Sequence, residues 1–142
     1  MRNHQKGIVM FPEKALKLSE IVAILESEVH YSSIQQLDIE IRTARASDLM
    51  SEILSDDSVP DILLTRLCNA QVVRTASVFG IKAVVVVRGS HLNQKIIDLA
   101  IEENIVIMTT LGSLFTSCGK LYVSGIRGVL ETPQGQSENQ KK

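Results

Sequence analysis

Three continuous apolar runs limit what this chain can fold into more than any other feature. They are Asp61–Thr65, Ala83–Val87 and Ile105–Thr109, and each is followed by a stretch in which apolar residues recur at helical spacing. A strand with one wet face alternates apolar and polar residues, whereas a strand of a parallel sheet is covered on both faces and reads as a continuous apolar run. Apolar strands that alternate with helices are typical of βαβ units. The sequence therefore predicts an α/β fold with a mainly parallel β-sheet and helices packed on it.

The spacing of apolar residues also predicts the remaining elements. Helices are predicted over 70–79, 92–103 and 113–122, with Gly80 ending the first and Ser113 capping the third. The segments before the first apolar run are predicted to form a helix over 16–25, a short strand over 29–31, a half-exposed strand over 37–42, a short helix over 46–54 and a turn over 56–60.

The length of 142 residues suits one domain, and we expect that domain to span residues 15–130. Residues 1–14 are expected to form an N-terminal arm. Residues 131–142 are polar and rich in turn formers. We expect them to form a disordered tail, because they cannot bury enough apolar surface to offset the entropy of ordering.

Charge and composition argue against several classes of function. The net charge is −1, the pI is about 6.3, and aromatic residues make up 4% of a chain without Trp. Nucleic-acid-binding proteins usually carry a positive surplus or an aromatic stacking surface, so no nucleic-acid partner is expected. No apolar run approaches the ~20 residues that a membrane helix needs, and we find no signal-peptide pattern. We therefore expect a cytoplasmic protein without membrane contact, whose two cysteines, Cys68 and Cys118, are reduced.

Polar residues follow the ends of the three predicted strands, and parallel pairing would bring them to one edge of the sheet. They are Thr65, Asn69, Arg88, Gly89, Ser90, Thr109 and Thr110. Helix N-termini at that edge present free N–H groups, so the edge could bind a phosphate or a carboxylate. A plainer interpretation is that Asn69, Ser90 and Ser113 only cap helices and that Arg88 pairs with a surface acid.

No catalytic or metal-binding set is complete. The glycines of Gly112–Lys120 are too far apart for a P-loop, and Leu121 stands where a Ser or Thr should hold Mg²⁺. A zinc site built from Cys68, His91 and Cys118 lacks a fourth ligand and zinc-finger spacing. The sequence shows neither a Ser-His-Asp arrangement nor a nucleophile elbow. We expect no enzymatic activity, no cofactor and no metal.

Three segments taken together resemble the DRTGG domain family, in particular its small stand-alone members. They are Ala46–Leu54, Leu63–Ala76 and Ile81–Gly89, and the resemblance extends over roughly residues 15–125. The family is similar in fold to the N-terminal domain of HPr kinase/phosphorylase. The resemblance implies an accessory α/β domain, usually regulatory and often dimeric, with no established activity of its own.

This sequence departs from the family pattern at two strand ends. Val87-Arg88-Gly89 stands where Thr-Gly-Gly is expected, and Arg66 stands where the small members usually have Gly. The second change bears on how open the strand-end loop is.

The expected function is therefore a non-catalytic regulatory module that acts as a homodimer and senses a small anionic metabolite or nucleotide. The alternative is a ligand-free dimerisation or protein-interaction domain. A well-formed pocket at the strand ends favours the first interpretation, and a filled strand edge with a flat apolar face favours the second. The sequence identifies neither the ligand nor a protein partner.

Overall fold

A six-stranded β-sheet forms the centre of the structure, a computed structural model that describes residues 10–54, 58–89 and 91–129. The strands lie in the order β2-β7-β6-β5-β4-β8, and a separate two-stranded ribbon pairs β1 with β3. The strands are β1 (Leu16–Lys17), β2 (Glu28–Tyr31), β3 (Glu40–Ile41), β4 (Thr43–Ala46), β5 (Ile62–Thr65), β6 (Ala83–Val86), β7 (Val106–Thr109) and β8 (Arg127–Gly128). The helices are α1 (Leu18–Leu25), a 3-10 turn (Gln35–Asp38), α2 (Met50–Leu54), α3 (Ala70–Phe79), α4 (Gln94–Glu103) and α5 (Leu114–Val123).

The sheet is parallel except at one edge. Strands β4, β5, β6, β7 and β8 run in the same direction, while β2 pairs antiparallel with β7. The three predicted apolar strands and the three helices that follow them are confirmed, as is the α/β fold with a mainly parallel sheet.

Two apolar layers fill the space between the sheet and its helices. Successive side chains of a strand point to opposite faces, so Leu64 and Val85 pack under α1 and α5 while Leu63 and Val84 pack under α2, α3 and α4. All four side chains are almost fully buried. Each burial stabilises the fold by about 1.5–3 kcal/mol, which explains why the middle positions of these runs are apolar.

The elements before β5 differ from the prediction in three places. Leu16–Lys17 pairs with Glu40–Ile41 as a ribbon, so the first helix begins at Leu18 and not at residue 16. The Glu20 carboxylate fixes this start, because it accepts from the Lys17 main-chain N–H at 2.8 Å. Residues 35–38 form a 3-10 turn, which leaves only Glu40–Ile41 of the predicted strand over 37–42.

The third difference concerns the end of β4. Residues Thr43–Ala46 form a parallel strand next to β5, and the helix predicted from residue 46 begins only at Met50. The side chains of Thr-Ala-Arg-Ala are too small and too mixed to give an apolar run, which is why this strand is not predicted from the sequence. Strand β8, Arg127–Gly128, is not predicted either, because it contains no apolar residue.

The segment that precedes β1 is tied to the opposite end of the chain. The Lys14 main-chain N–H donates to the Gly125 carbonyl at 2.9 Å, and the Arg127 guanidinium donates to the Phe11 carbonyl. The predicted arm over 1–14 and tail over 131–142 fall mostly outside the described residues and stay predictions. Within the described ranges, none of the helices has the length and apolar character needed to cross a membrane.

Candidate functional site

The carboxyl ends of the parallel strands meet at one edge of the sheet, called here the strand-end edge. In the register, Thr65 lies opposite Val86, and Val86 lies opposite Thr109. The loops that carry Arg88 and Thr110 follow directly. Parallel pairing therefore brings the described strand-end residues to one edge, as the sequence indicates.

Asp48 occupies the part of this edge between β4 and β5. Its Oδ1 accepts from the Thr65 hydroxyl at 3.0 Å and from the Arg66 main-chain N–H at 2.7 Å, and its Oδ2 accepts from Arg66 Nε at 2.5 Å. Burial on its own raises the pKa of Asp48. The hydrogen bonds from Arg66 and Thr65 and the Arg66 charge outweigh burial, and the pKa of this carboxyl lies below its ordinary value of 3.8. Both Thr65 and Arg66 are thus engaged within the protein.

The hydroxyls that follow β7 also have partners inside the fold. Thr109 Oγ1 lies 3.0 Å from His30 Nε2, on the antiparallel strand β2. Thr110 Oγ1 donates to the Leu25 carbonyl at 2.7 Å, at the end of α1. Both threonines are buried. These bonds satisfy polar groups that would otherwise be costly to bury.

The turn at Arg88-Gly89 projects from the middle of the edge. Both residues have left-handed backbone angles, with φ of 68° and 62°. Their N–H groups donate to the carbonyls of Gly112 at 2.8 Å and Thr110 at 2.7 Å. The main chain of the turn is therefore fixed, and these two N–H groups are not available to an anion. The Arg88 side chain is exposed and has no hydrogen bond or ion pair to any residue that the structure describes.

The remaining predicted residues serve helix ends. The Asn69 side chain accepts from the Val72 N–H at 3.2 Å and caps α3, and the Ser113 hydroxyl accepts from the Thr116 N–H at 3.1 Å and caps α5. The capping interpretation is confirmed for these two residues. Ser90 lies outside the described residues. The N-cap of α4 is Asn93, which sequence reasoning did not single out.

The two cysteines lie on opposite sides of the sheet. Cys118 packs against the apolar layer under α1 and α5, whereas Cys68 packs against the layer under α2, α3 and α4. Both are free thiols, and burial raises the pKa of Cys118. The sheet separates them, so they cannot share a metal ion with His91. No group of three or more metal-binding side chains occurs in the described parts of the chain.

A pocket of about 200 Å³ lies between α5 and the β4–β8 side of the sheet. Its lining consists of Ala44, Arg45, Ala46, Leu64, Cys118, Leu121, Tyr122, Ile126, Arg127 and Gly128. The Arg127 guanidinium stacks on the Tyr122 ring at 4.1 Å from its centroid. Sequence reasoning missed this pocket, since the strands that form its floor carry no apolar run.

The fold is similar to that of the CBS and DRTGG domains of the regulatory region of Clostridium perfringens pyrophosphatase, a crystal structure of a complex with the activator diadenosine tetraphosphate. The TM-score is 0.62 at 18% sequence identity, and the match covers 77% of this chain and 46% of that chain. This chain thus spans less than half the length of the chain that it matches. Neither a protein-family model nor a curated protein sequence matches the chain. The likeness supports a DRTGG/CBS-like fold.

Proposed function

We propose that this protein is a non-catalytic regulatory module that acts as a homodimer and binds a small anionic metabolite, foremost a nucleotide, at the Arg88 turn. The proposal rests on two properties of Arg88, its exposed side chain and its left-handed main chain. Its guanidinium is exposed and unpaired among the described residues, while its main chain is held in a left-handed conformation that costs a non-glycine residue about 1–2 kcal/mol.

Strain of this kind is a reason to look for function, because a glycine at the same position would relieve it. Here the strained residue carries a permanent, planar, forked cation. The hydrogen bonds to Gly112 and Thr110 fix the turn before any ligand arrives, so little ordering entropy would be lost on binding. A phosphate is the group that such a guanidinium recognises best.

The surroundings of Arg88 suit a ligand with an apolar part as well as a charge. Leu111 leaves the same loop and packs on Gly89, where an added Cβ would lie 2.9 Å from its Cδ2. Its side chain is nevertheless 88% exposed. A cation beside an exposed apolar side chain matches the phosphate and base of a nucleotide. The regulatory region with the similar fold binds a nucleotide activator, which supports the same assignment for this chain.

The absence of catalysis is part of the proposal. Among the described residues of the edge, two groups suited to acid–base work are already engaged: Asp48 by Arg66 and Thr65, and His30 by Thr109. The P-loop-like residues from Ser117 to Leu121 lie within α5, so they cannot wrap a phosphate.

The test is a thermal-shift and calorimetric titration of the full chain with diadenosine tetraphosphate, ATP and inorganic pyrophosphate. A ligand that binds only the folded state at 100 times its Kd should stabilise the protein by about 2.7 kcal/mol. We expect Arg88→Ala to weaken binding at least tenfold and to leave the unfolding temperature unchanged or higher.

Arg42→Ala is the matched control, because it removes the same charge at the opposite edge of the sheet, where Arg42 pairs with Glu40 at 3.5 Å on the surface. The control should bind like the unaltered protein. Equal affinity of the Arg88→Ala protein and the control for every ligand found would contradict a site at this turn.

One observation favours the alternative, a ligand-free interaction domain. The polar side chains of Thr65, Thr109 and Thr110 are engaged inside the protein, and the edge is closed around them. If none of the three probes stabilises the chain while the chain self-associates, the alternative is preferred.

A further inference from the structure

The outer face of α5 is apolar, unlike that of α4 on the other side of the sheet. Phe115 is 88% exposed, Val123 50% and Tyr122 45%, and together with Gly119 they form one stripe along the helix. This stripe, called here the α5 face, follows the spacing i, i+4, i+7 and i+8 of a single helix side. A contiguous exposed apolar patch of this kind marks an interaction site in a soluble protein.

The opposite side of α5 already meets the core. Ser117 and Leu121 are buried at 1% and 2% exposure, and Cys118 packs against the same apolar layer. Helix α5 therefore has two apolar sides: one is buried against the core, and the other, the α5 face, is exposed to solvent. The exposed positions of α4 carry the charged residues Lys95, Asp98 and Glu102 beside a single exposed apolar side chain, Ile101 at 48%.

Gly119 lies at the centre of the α5 face. A Cβ added there would meet no atom within 4 Å, so the space above the helix is open at its midpoint. Alanine would favour the helix more, so the isolated chain gains nothing from this glycine. A glycine at this position lets a second helix approach closely, because helix separation depends on the side chains at the contact.

The pocket of about 200 Å³ borders the α5 face on the side of Cys118 and Tyr122. Ala44 and Ala46 form its floor, and their small side chains leave it unfilled. An apolar cavity of about 150 Å³ is enough to hold a benzene ring, so this pocket has room for one aromatic side chain. The α5 face thus carries a protruding ring, Phe115, and a hollow beside Tyr122 that fits one.

We infer that the α5 face binds a second copy of this chain. The two α5 helices pack antiparallel about a two-fold axis at Gly119, and Phe115 of each copy enters the pocket of the other. In an antiparallel pair centred on Gly119, the residue four positions before Gly119 in one copy lies against the residue four positions after it in the other copy. Phe115 then meets Val123 and the Tyr122 rim of the pocket, and the contact is self-complementary, as an isologous interface requires.

No charge on α5 itself opposes this pairing, and the cations at the pocket, Arg45 and Arg127, can contact the face of an aromatic ring. The sole charged residue of α5 in the sequence is Lys120, which is neither on the α5 face nor on its pocket side. An aromatic side chain buries about 150–250 Å², so Phe115, Tyr122 and Val123 supply several hundred Å² per copy. A standard interface buries about 800 Å² per partner. The expected dimer is therefore a reversible one, with a dissociation constant in the micromolar range.

The inference rests on the homodimer part of the proposed function and names its interface. The first test is sedimentation equilibrium of the full chain from about 1 to 200 μM. The mass should rise from 15.7 kDa toward twice that value. Phe115→Ser and Gly119→Arg should each weaken association at least tenfold without loss of fold, since both positions are open to solvent.

Val78→Ser is the matched control, because Val78 is 75% exposed on the outer side of α3. It should associate like the unaltered protein. If Phe115→Ser and Gly119→Arg still dimerise, or if Val78→Ser dissociates as they do, the α5 interface is wrong while a homodimer stands. If the unaltered chain is monomeric throughout, both the interface and the homodimer fail.

A second test uses the symmetry. In a chain with Cys68→Ser and Cys118→Ser, Gly119→Cys places two thiols at the two-fold axis, within the short Cα separation that a disulfide needs. Mild oxidation should convert this protein to a covalent dimer. The same background with Lys95→Cys, on the outer face of α4, should stay monomeric under these conditions, and equal cross-linking of the two proteins would overturn the arrangement.

Discussion

A single carboxylate organises the residues at the ends of two strands. Asp48 follows β4, and it accepts hydrogen bonds from Thr65 at the end of β5 and from both the main chain and the side chain of Arg66. Its side chain is only a quarter exposed, whereas that of Arg66 is 61% exposed. Arg66, which stands where the small members of the family that the sequence resembles usually have Gly, is thus paired with a residue of its own chain.

Asp48→Asn is expected to lower the free energy of unfolding at neutral pH by about 1–3 kcal/mol, because charge-assisted bonds become neutral and one acceptor becomes a donor. The pKa of Asp48 is depressed in the folded protein. Its contribution is therefore complete above the unfolded pKa of about 3.9 and is lost as the pH falls through the lower folded value.

Denaturant unfolding of both proteins between pH 2 and pH 7 measures this contribution. The difference between them should shrink below about pH 4. A difference that stays constant across this range would show that the Asp48 charge plays no part. Thr43→Ser, which keeps the hydroxyl that accepts from the Asp61 N–H at 3.0 Å, provides a conservative control far from the strand ends.

At the scale of helices and strands, side-chain caps determine where the βα units begin. Asn69, Asn93 and Ser113 each accept from a main-chain N–H three residues ahead, at the start of α3, α4 and α5. The free N–H groups that could bind an anion at these helix ends are thus partly used by the chain itself. Asn69 has this structural role whether or not it meets a ligand.

Asn69→Ala should lower the free energy of unfolding by about 1 kcal/mol, whereas Asn69→Asp should keep it within a few tenths, because Asp caps a helix as well as Asn does. Thermal unfolding followed by circular dichroism should show a loss of about 3–5 °C for the first variant. Equal stability of the Ala and Asp variants would contradict a capping role. Ligand affinity that falls in both variants would instead point to a direct contact.

Sequence reasoning finds the elements that are buried on both faces and misses those that are not. Strands β5, β6 and β7 are apolar at nearly every position because helices cover both sides of them. Strand β4 lies near the edge of the sheet, is only partly buried and contains Ala, Thr and Arg. Because β4 is only partly buried, it can be built from small and polar side chains, and neither a continuous apolar run nor an alternating pattern marks it in the sequence.

The candidate site was predictable in position but not in its partners. The strand ends are fixed by the parallel register, and the sequence places Thr65 and Thr109 there. The residues that engage them are Asp48, in the loop after β4, and His30, on β2, and they lie 17 and 79 residues away in sequence. Only the sheet order brings these partners near, and no local spacing encodes that order.

At the scale of the whole molecule, the two described ends of the chain are joined at Gly125. The Lys14 N–H donates to the Gly125 carbonyl, and a Cβ on Gly125 would lie 2.6 Å from the Lys14 Cβ and 2.8 Å from its main-chain N. Gly125 also has a φ of 117°, which side chains rarely adopt. Only glycine allows the first described segment to pass so close to the turn after α5.

Gly125→Ala should lower the free energy of unfolding by about 2–4 kcal/mol, because it adds a main-chain overlap to the backbone strain. Gly80→Ala is the control, since Gly80 also has a positive φ of 76° but its Cβ would meet nothing within 4 Å. The control should lose about 1 kcal/mol in the same urea titration. Equal losses would mean that the approach of Lys14 does not constrain the fold.

Because the sheet separates Cys68 from Cys118, a disulfide between these two cysteines would report that the chain has unfolded. A bond between two sulphur atoms requires their Cα atoms to come within about 7 Å, and the strands that lie between these cysteines prevent it. An intramolecular disulfide can therefore form only in a molecule that has lost its sheet. Oxidation that joins Cys68 to Cys118 within one chain therefore marks molecules that have unfolded, since the two thiols of a folded chain cannot reach each other.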